Sequence, residues 1–283
     1  MSPTPRTHQD DRSALVAYDH GAHLASWDVD GAPVIWLSER AVLDGSAPIR
    51  GGVPICFPWF ADGRDGRHSP SHGVARTATW TPLRPDDGEL WVWELGDEDV
   101  VDAPGATLVP GPFRARYAVR LTTGQDRSPT LQVELQMHNP GREPYRVEAA
   151  LHTYLAVQDV RETRIEGLAG APYLDKLTGR RESHDGDLVL TGHTDRVYDH
   201  AGPLLVDDRA GARQVEVRPT GATQTVVWNP WEGAADLADL GAGSWQRFVC
   251  VETAATGDQD LLLAPGGSAT LGCSFTPLPV RPT

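Results

Sequence analysis

The sequence predicts an all-β protein, built from short antiparallel strands and arranged as a sandwich or a barrel. Its 29 glycines and 23 prolines among 283 residues are spread along the whole chain, as expected where many turns join short strands. Several windows alternate strictly between apolar and polar residues, and no long segment has helical periodicity. Many short strands with frequent turn signals are typical of sandwiches and barrels.

The clearest strand predictions fall on residues 114–121 and 130–139, where apolar and polar residues alternate. Such alternation indicates strands with one buried face and one face toward solvent. Residues 90–94 and 224–228 predict further strands. In the first window the arginines Arg114, Arg116 and Arg120 share one face, opposite Ala115, Tyr117, Val119 and Leu121.

The domain prediction is a flexible tail over residues 1–12, followed by one β-sandwich domain over residues 13–283, because no linker or low-complexity tract divides the remainder. Asn139-Pro140-Gly141 predicts a turn. One short helical turn is expected near residues 234–240.

Charge and cysteine content restrict the partners and the compartment. A net charge of −14 argues against non-specific binding to nucleic acid, and no window predicts a membrane span. An anionic substrate would therefore need a local positive site. Three cysteines, Cys56, Cys250 and Cys273, without zinc spacing favour a reduced, cytoplasmic protein. A monomer is the default expectation, with no cofactor and no metal.

The window 145–157 places a histidine on a strand face opposite the apolar side chains. Leu151 has one parity, whereas His152 and Tyr154 have the other. If that second face is concave, His152 and Tyr154 line a pocket. A histidine satisfied by hydrogen bonds in the core is the alternative.

Glu252 follows the apolar run Phe248-Val249-Cys250-Val251. Partial desolvation at such a position raises the pKa of a carboxyl group toward values useful in a general base. The alternative is a glutamate at a strand end that reaches solvent. The residue pattern alone favours the strand-end glutamate here, and likewise the core histidine for His152.

Five short segments, scattered over two hundred residues, gather a histidine, a glutamate and two arginines among residues that fix backbone geometry. They occur in a set order and resemble the hexose-6-phosphate mutarotases, or glucose-6-phosphate 1-epimerases, of the galactose mutarotase-like group. The resemblance covers about residues 13–279. The segments are Arg50-Gly51-Gly52-Val53-Pro54-Ile55-Cys56-Phe57-Pro58, His72-Gly73-Val74-Ala75-Arg76, Leu151-His152-Thr153-Tyr154, Trp228-Asn229-Pro230-Trp231 and Cys250-Val251-Glu252.

This resemblance implies a β-supersandwich fold and an acid–base mechanism. His152 matches the family's general acid, which protonates the ring oxygen, and Glu252 matches its general base, which acts on the anomeric hydroxyl. Such a pair opens and recloses a pyranose ring, so that the α and β anomers interconvert without a cofactor.

Arg50 and Arg76 match the positions that the resemblance assigns to phosphate. Guanidinium groups bind phosphate in a bidentate manner, and the glycines after Arg50 allow close backbone approach. The alternative is that each arginine pairs with one of the chain's many carboxylates.

The resemblance also assigns substrate hydroxyls to two further positions. His72 would bind the sugar or support the acid, and Asp195 would accept hydrogen bonds, although a turn-forming aspartate is an equal alternative. The sequence Ser-Pro-Ser between His68 and His72 argues against a helical metal site. Lys176, the single lysine, favours a structural ion pair over a contact with phosphate.

The tryptophans Trp59, Trp228 and Trp231 are candidates for stacking on a sugar, or else core residues, and a pocket wall is favoured for Trp228. Trp59 replaces a glutamine usual in the family. Val74 and Thr77 replace a common phenylalanine and asparagine.

The predicted function is interconversion of the anomers of a hexose 6-phosphate, with D-glucose 6-phosphate as the expected substrate. Two alternatives stay open. One is an aldose 1-epimerase for free sugars, in which Arg50 and Arg76 are structural. The other is a non-catalytic carbohydrate-binding module on the same fold.

Overall fold

The computed structural model describes residues 4–124 and 128–279, and these residues form an antiparallel β structure. The first strands are β1 (Pro5–Gln9), β2 (Ser13–Tyr18), β3 (His23–Val29), β4 (Ala32–Ile35), β5 (Ile55–Cys56), β6 (Thr81–Leu83), β7 (Trp91–Gly96), β8 (Arg114–Thr123), β9 (Pro129–His138), β10 (Tyr145–Val147), β11 (Ala149–Leu151) and β12 (Tyr154–Ala156). The later strands are β13 (Thr163–Glu166), β14 (Tyr173–Asp175), β15 (Arg180–Glu182), β16 (Leu188–Val189), β17 (Thr194–Tyr198), β18 (Leu204–Asp208), β19 (Arg213–Thr220), β20 (Gln224–Asn229), β21 (Phe248–Ala255), β22 (Leu261–Leu263) and β23 (Ser268–Pro279).

The helices of the described residues are all short 3₁₀ turns. They span Ala75–Thr77, Asp97–Val100, Ala106–Leu108, Val160–Glu162, Trp231–Asp236, Ser244–Arg247 and Gly257–Gln259. The helical turn expected at 234–240 therefore lies earlier, at Trp231–Asp236. Among these helices none has the length and apolar character that a membrane span requires.

Two large sheets carry the fold. The first sheet has twelve strands, with the neighbour order β1-β2-β3-β4-β12-β21-β20-β17-β14-β15, while β11 pairs with β21 and β5. The second sheet has nine strands in the order β16-β13-β18-β19-β23-β9-β8-β7-β6, and β10 pairs with β22 separately. Neighbouring strands are antiparallel throughout these described sheets, which confirms the predicted all-β, antiparallel architecture.

One apolar core joins the two sheets. Buried side chains of the first sheet, such as Trp27 and Leu15, belong to the same cluster as Tyr117 and Leu135 of the second. The alternation predicted for residues 114–121 and 130–139 appears as β8 and β9, whose apolar parity faces this core. Burial of such side chains contributes about 25 cal/mol per Å² of apolar surface.

The N-terminal segment differs from the predicted flexible tail of residues 1–12. Pro5–Gln9 forms β1 and pairs with β2 over its full length, from Pro5 opposite Tyr18 to Gln9 opposite Ala14. Residues 1–3 of that predicted tail lie outside the described part of the chain. Edge pairing therefore extends the first sheet by one strand that hydrophobic patterning did not predict.

The window 145–157 also differs from the prediction of one alternating strand. It is divided into β10, β11 and β12, and His152 and Thr153 lie between the last two. The backbone N–H of His152 donates to the carbonyl of Pro54 at 2.9 Å, and that of Tyr154 donates to the carbonyl of Gly52. This break turns the histidine away from regular pairing and toward the segment that carries Arg50.

Candidate active site

A cavity of about 270 Å³ lies over the centre of the first sheet. All six residues predicted from the sequence as acid, base, phosphate ligands or sugar ligands line it, although they span two hundred positions of the chain. The lining residues are Arg50, Phe60, Ser71, His72, Arg76, His152, Lys176, Asp195, Val226, Trp228 and Glu252. Its volume is close to the lower end of the range for small-molecule sites.

His152 and Glu252 are in direct contact at the floor of this cavity. The Nε2 atom of His152 lies 3.4 Å from Oε1 of Glu252, and their side chains are 8% and 1% exposed. Glu252 belongs to β21, which is buried along its full length. Glu252 therefore does not reach bulk solvent, and the alternative of an exposed strand-end glutamate is excluded.

Burial controls the protonation of both members of the pair. It raises the pKa of Glu252 well above its usual range, and the negative charge of Asp195 adds to this shift against Lys176 and Arg76. Burial and the positive charges of Arg76 and Arg50 together lower the pKa of His152 to about 3. The surroundings therefore disfavour the charged form of each member of the pair.

Each member of the pair keeps one polar atom without a hydrogen-bond partner among the described residues: Nδ1 of His152 and Oε2 of Glu252. The ring of Tyr154 stacks on His152, with centroids 5.0 Å apart and planes 11° apart, and Trp228 contacts it edge-on at 5.8 Å. Aromatic packing thus fixes the histidine ring without supplying a charged partner to its Nδ1.

Arg50 is held from two sides. Its Nε donates to Oδ2 of Asp239 at 2.9 Å, and its NH1 donates to the hydroxyl of Tyr154 at 3.1 Å. Burial opposes the positive charge, but Tyr154 and Asp239 outweigh this effect and raise the pKa of Arg50. At the neighbouring Gly51, with φ of +102°, a Cβ atom would lie 2.7 Å from backbone atoms of Leu37, so glycine is required there.

Arg76 has no carboxylate partner among the ion pairs of residues 4–124 and 128–279. It lies in the 3₁₀ turn Ala75–Thr77, and its NH2 donates to the carbonyl of Ser71 at 2.8 Å. Its Nε is buried and lacks a partner within those residues. Burial lowers the pKa of Arg76, which marks a guanidinium whose charge is incompletely compensated.

His72 is oriented by its own backbone. Its φ is +67°, and a Cβ atom at the following Gly73 would lie 2.0 Å from the carbonyl oxygen of Phe57. The N–H of Ala61 donates to Nδ1 of His72 at 3.2 Å, and burial together with Arg76 lowers the pKa of the imidazole well below its usual value. The ring proton of neutral His72 is therefore on Nε2, which makes that atom a donor.

Asp195 and Lys176 form the opposite end of the cavity. The Nζ atom of Lys176 lies 3.6 Å from Oδ2 of Asp195, and it also lies 5.2 Å from the ring centroid of Phe60. Burial raises the pKa of Asp195. The ion pair expected for Lys176 is present, and it lies in the cavity wall.

The tryptophans divide into one cavity residue and two packing residues. Trp228 lines the cavity, as favoured from the sequence. Trp59 donates from Nε1 to the carbonyl of Pro70 at 2.9 Å, and Trp231 packs on Trp245 at 4.2 Å. Neither Trp59 nor Trp231 is among the cavity-lining residues.

Sequence reasoning did not identify Phe60, Ser71 and Val226 as lining residues, nor Asp239 as the partner of Arg50. Val226 had a detectable signal, because it lies two positions before Trp228 on the same strand face. Asp239 had none, since it is separated from Arg50 by 189 positions.

A metal at this site is opposed by its charge. One atom each of His152, Cys250 and Glu252 lies within 4.8 Å of the others. The cations Arg50 and Arg76 share the cavity, and burial favours the protonated forms of the carboxyl and thiol groups. The donor set is therefore poorly suited to a cation.

Comparison with known proteins places this site in a family context. The family model described as aldose 1-epimerase matches residues 6–276. A protein of Cenchrus ciliaris named "Putative glucose-6-phosphate 1-epimerase" is 30% identical over 276 residues, covering 88% of this chain and 77% of that protein. A protein of the same name from Salmonella typhimurium is 30% identical over 271 residues, covering 89% and 87%.

Solved structures share the fold. A structure described as a "putative mutarotase" from Salmonella typhimurium superposes with a TM-score of 0.84 at 24% identity, covering 99% of this chain and 94% of that one. A galactose mutarotase-related enzyme of Lactobacillus acidophilus gives a TM-score of 0.74 at 14% identity, covering 99% and 100%. The predicted mutarotase-like sandwich is thereby confirmed.

Proposed function

The chain belongs to the aldose 1-epimerase family, and from this membership together with the cavity we propose that it interconverts the α and β anomers of D-glucose 6-phosphate. The observation that carries the proposal is the combination of a buried His152–Glu252 pair and two arginines in one cavity. A site for proton transfer alone needs no arginines, and a phosphate site alone needs no acid–base pair.

In the proposed reaction Glu252 acts as the base and His152 as the acid. Glu252 takes the proton from the hydroxyl at C1 while protonated His152 gives one to the ring oxygen, so the C1–O5 bond breaks. The open aldehyde rotates about its C1–C2 bond and recloses with the two roles reversed. Protons balance in each direction, and this route requires no metal, cofactor or covalent intermediate.

Arg50 and Arg76 are proposed to bind the phosphate. Asp239 and Tyr154 hold the Arg50 guanidinium in place, while Arg76 has an unpartnered buried Nε among the described residues. Two guanidinium groups match the charge and the planar geometry of phosphate contacts. They would form the local positive site that an acidic protein requires for an anionic substrate.

The sugar hydroxyls are proposed to contact the rest of the wall. The Nε2–H of His72 would donate, the carboxylate of Asp195 would accept, and Trp228 would pack on C–H groups of the ring. Lys176 would orient Asp195 through their ion pair.

The setting of the protein is proposed to be cytoplasmic and monomeric, without nucleic-acid or membrane partners. Cys56, Cys250 and Cys273 are all buried as free thiols, as expected in a reducing compartment. The net charge of −14 opposes binding to nucleic acid.

The direct test is anomer exchange of glucose 6-phosphate followed by two-dimensional exchange NMR with wild type and Glu252→Gln. Loss of the base should reduce the rate by about 10²- to 10⁴-fold. Glu134→Gln is the matched control, because Glu134 lies on β9 and its side chain is 41% exposed. Near-full exchange in Glu252→Gln would refute the assignment of the base.

A further inference from the structure

Burial favours the shared proton on Glu252, the partner that the proposed reaction needs as a base. Burial favours a protonated Glu252 and a neutral His152, whereas ring opening requires a carboxylate and an imidazolium. Catalysis therefore requires the proton to move from Glu252 to His152. Nε2 of His152 and Oε1 of Glu252 are 3.4 Å apart, so a direct exchange between them needs only a small approach.

Charge is distributed unevenly along the floor of the cavity. Across the first sheet the strands follow the order β12, β21, β20 and β17, with Tyr154 opposite Cys250 and Trp228 opposite Asp195. Asp195 thus lies two strands beyond the strand of Glu252, at about 4.8 Å per strand. Arg50 lies at the other end of the cavity. It donates a hydrogen bond to the hydroxyl of Tyr154, whose ring stacks on His152.

The charged groups therefore act with different weight on the two partners. The positive charges of Arg76 and Arg50 oppose the protonation of His152, and Arg76 also acts on Glu252, where its effect is smaller than those of Asp195 and Lys176. The Asp195–Lys176 ion pair acts chiefly on Glu252. Arg50 lies on the His152 side of the pair, because its partner Tyr154 stacks on that histidine. An anion bound at the two arginines should therefore stabilise an imidazolium more than it destabilises a carboxylate.

We propose that the substrate's phosphate activates the acid–base pair: by compensating Arg50 and Arg76, it moves the shared proton from Glu252 to His152. This inference rests on the proposed function and extends it. The phosphate group then changes the protonation of the acid–base pair in addition to anchoring the substrate. A free sugar, which brings no negative charge to the two arginines, meets a pair in the inactive arrangement.

The step balances without any external reactant. The O–H bond at Oε1 of Glu252 breaks and an N–H bond forms at Nε2 of His152, so the total number of protons and the net charge of the pair stay the same. The cost is charge separation in a buried site, which the nearby phosphate offsets.

The other groups that face the pair keep their states. Burial raises the pKa of the Cys250 thiol and of the Tyr154 hydroxyl, so both stay protonated, and burial keeps His72 neutral. Lys176 is already compensated by Asp195. The titratable and charged groups around the pair are thus Arg50, His72, Tyr154, Arg76, Lys176, Asp195 and Cys250.

The protonation of His152 can be measured in the wild-type protein by ¹⁵N NMR of its ring at pH 7. The probe is 1,5-anhydroglucitol 6-phosphate, which lacks the anomeric hydroxyl and cannot react, and unphosphorylated 1,5-anhydroglucitol is its matched control. The phosphorylated probe should convert His152 to imidazolium, while the control at saturation should leave it neutral. A neutral His152 in the phosphorylated complex would overturn the proposal.

Arg76→Gln gives an independent readout with free glucose. Removing the charge that opposes imidazolium should raise the glucose exchange rate above wild type by about tenfold. Arg116→Gln, which removes a positive charge outside the cavity, should leave that rate unchanged. If Arg76 only binds phosphate, Arg76→Gln will exchange the anomers of glucose no faster than wild type. That result would contradict the proposed control of the proton by phosphate. Exchange of glucose 6-phosphate by wild type reports on the proposed function separately.

Discussion

The arginines of β8 and Arg76 of the cavity differ in the partners that their charges find among the described residues. On β8, Arg116 donates to Glu89 at 2.7 Å and Arg120 donates to the same carboxylate at 2.6 Å. In the cavity, Arg76 has a backbone carbonyl as its hydrogen-bond partner and no ion pair within the described residues. The sequence contains 24 arginines and one lysine, so residue type alone does not separate the two classes.

The arginines of β8 differ from Arg76 in that nearby carboxylates neutralise their charge. A partly exposed arginine with two or three carboxylate oxygens nearby has its charge neutralised and contributes little binding potential. A buried arginine without a carboxylate keeps its potential, which then acts on both an incoming anion and the neighbouring acid–base pair. Charge compensation thus separates Arg76 from the arginines of β8, whereas Arg50 keeps its ion pair with Asp239 and differs from them by its place in the cavity.

Among the arginine variants, the largest expected effect is the loss of glucose 6-phosphate turnover in Arg76→Gln. Loss of a charge-assisted contact should lower kcat/KM by about 10- to 100-fold, mainly through a higher KM. Steady-state exchange rates over a range of substrate concentrations measure this. An unchanged KM would place Arg76 in the same structural class as the arginines of β8.

The second effect concerns stability and its dependence on pH. Burial raises the pKa of Glu252 from its unfolded value near 4.5, so the folded state retains a proton that the unfolded state releases as pH rises. Glu252→Gln removes the free-energy cost of ionising a buried carboxyl group. Its advantage over wild type in free energy of unfolding should be constant below about pH 4.5 and grow by up to about 1.4 kcal/mol per pH unit above it.

Urea denaturation between pH 4 and pH 9 tests that dependence. Glu134→Gln on β9 serves as the control, because it makes the same chemical change at a side chain that is 41% exposed. A stability difference for Glu252→Gln that does not change with pH would contradict a raised pKa for the buried carboxyl group.

A smaller effect is expected for Tyr154→Phe. The substitution removes the hydroxyl that accepts from Arg50, while the ring can still stack on His152. The KM for glucose 6-phosphate should rise by about 2- to 10-fold, as expected for one lost hydrogen bond. A fall in kcat of the size expected for Glu252→Gln would instead make the tyrosine part of the proton path.

The smallest effect is expected for Arg116→Gln. Its ion pair with Asp86 is exposed, and the buried carboxylate of Glu89 keeps Arg120 as a partner, so the loss of stability should be about 0–1 kcal/mol and should shrink at high salt. Anomer exchange should stay at the wild-type rate. A marked loss of exchange would break the distinction between the two classes of arginine.

Much of the fold was predictable because its signals are local. Alternation predicted β8, β9 and β20, and Asn139 forms the expected turn by accepting from the N–H of Gly141 at 2.8 Å. The strand β1 was missed because an edge strand gains its stability from pairing and shows no strong apolar pattern. The division of residues 145–157 was missed because contacts with the carbonyls of Gly52 and Pro54 impose it.

The candidate site was predictable in its members but not in its electrostatics. His152, Glu252, Arg50 and Arg76 follow from motifs, and the structure brings them into one cavity. Arg50 has a carboxylate partner because Asp239, 189 positions away in the chain, folds against it, and no local pattern encodes that contact. The proton arrangement of the pair follows from burial and from the strand order of the first sheet, which are properties of the folded molecule.

The most direct test of the proposed function is saturation-transfer NMR of anomer exchange on glucose 6-phosphate, with glucose at equal concentration as the control. We predict enhanced exchange for the phosphate ester alone, because only that substrate compensates the two cavity arginines. Enhancement for both sugars, or for glucose alone, would make the protein a free-sugar epimerase. Binding of glucose 6-phosphate without enhancement for either sugar would contradict catalysis and favour a carbohydrate-binding module.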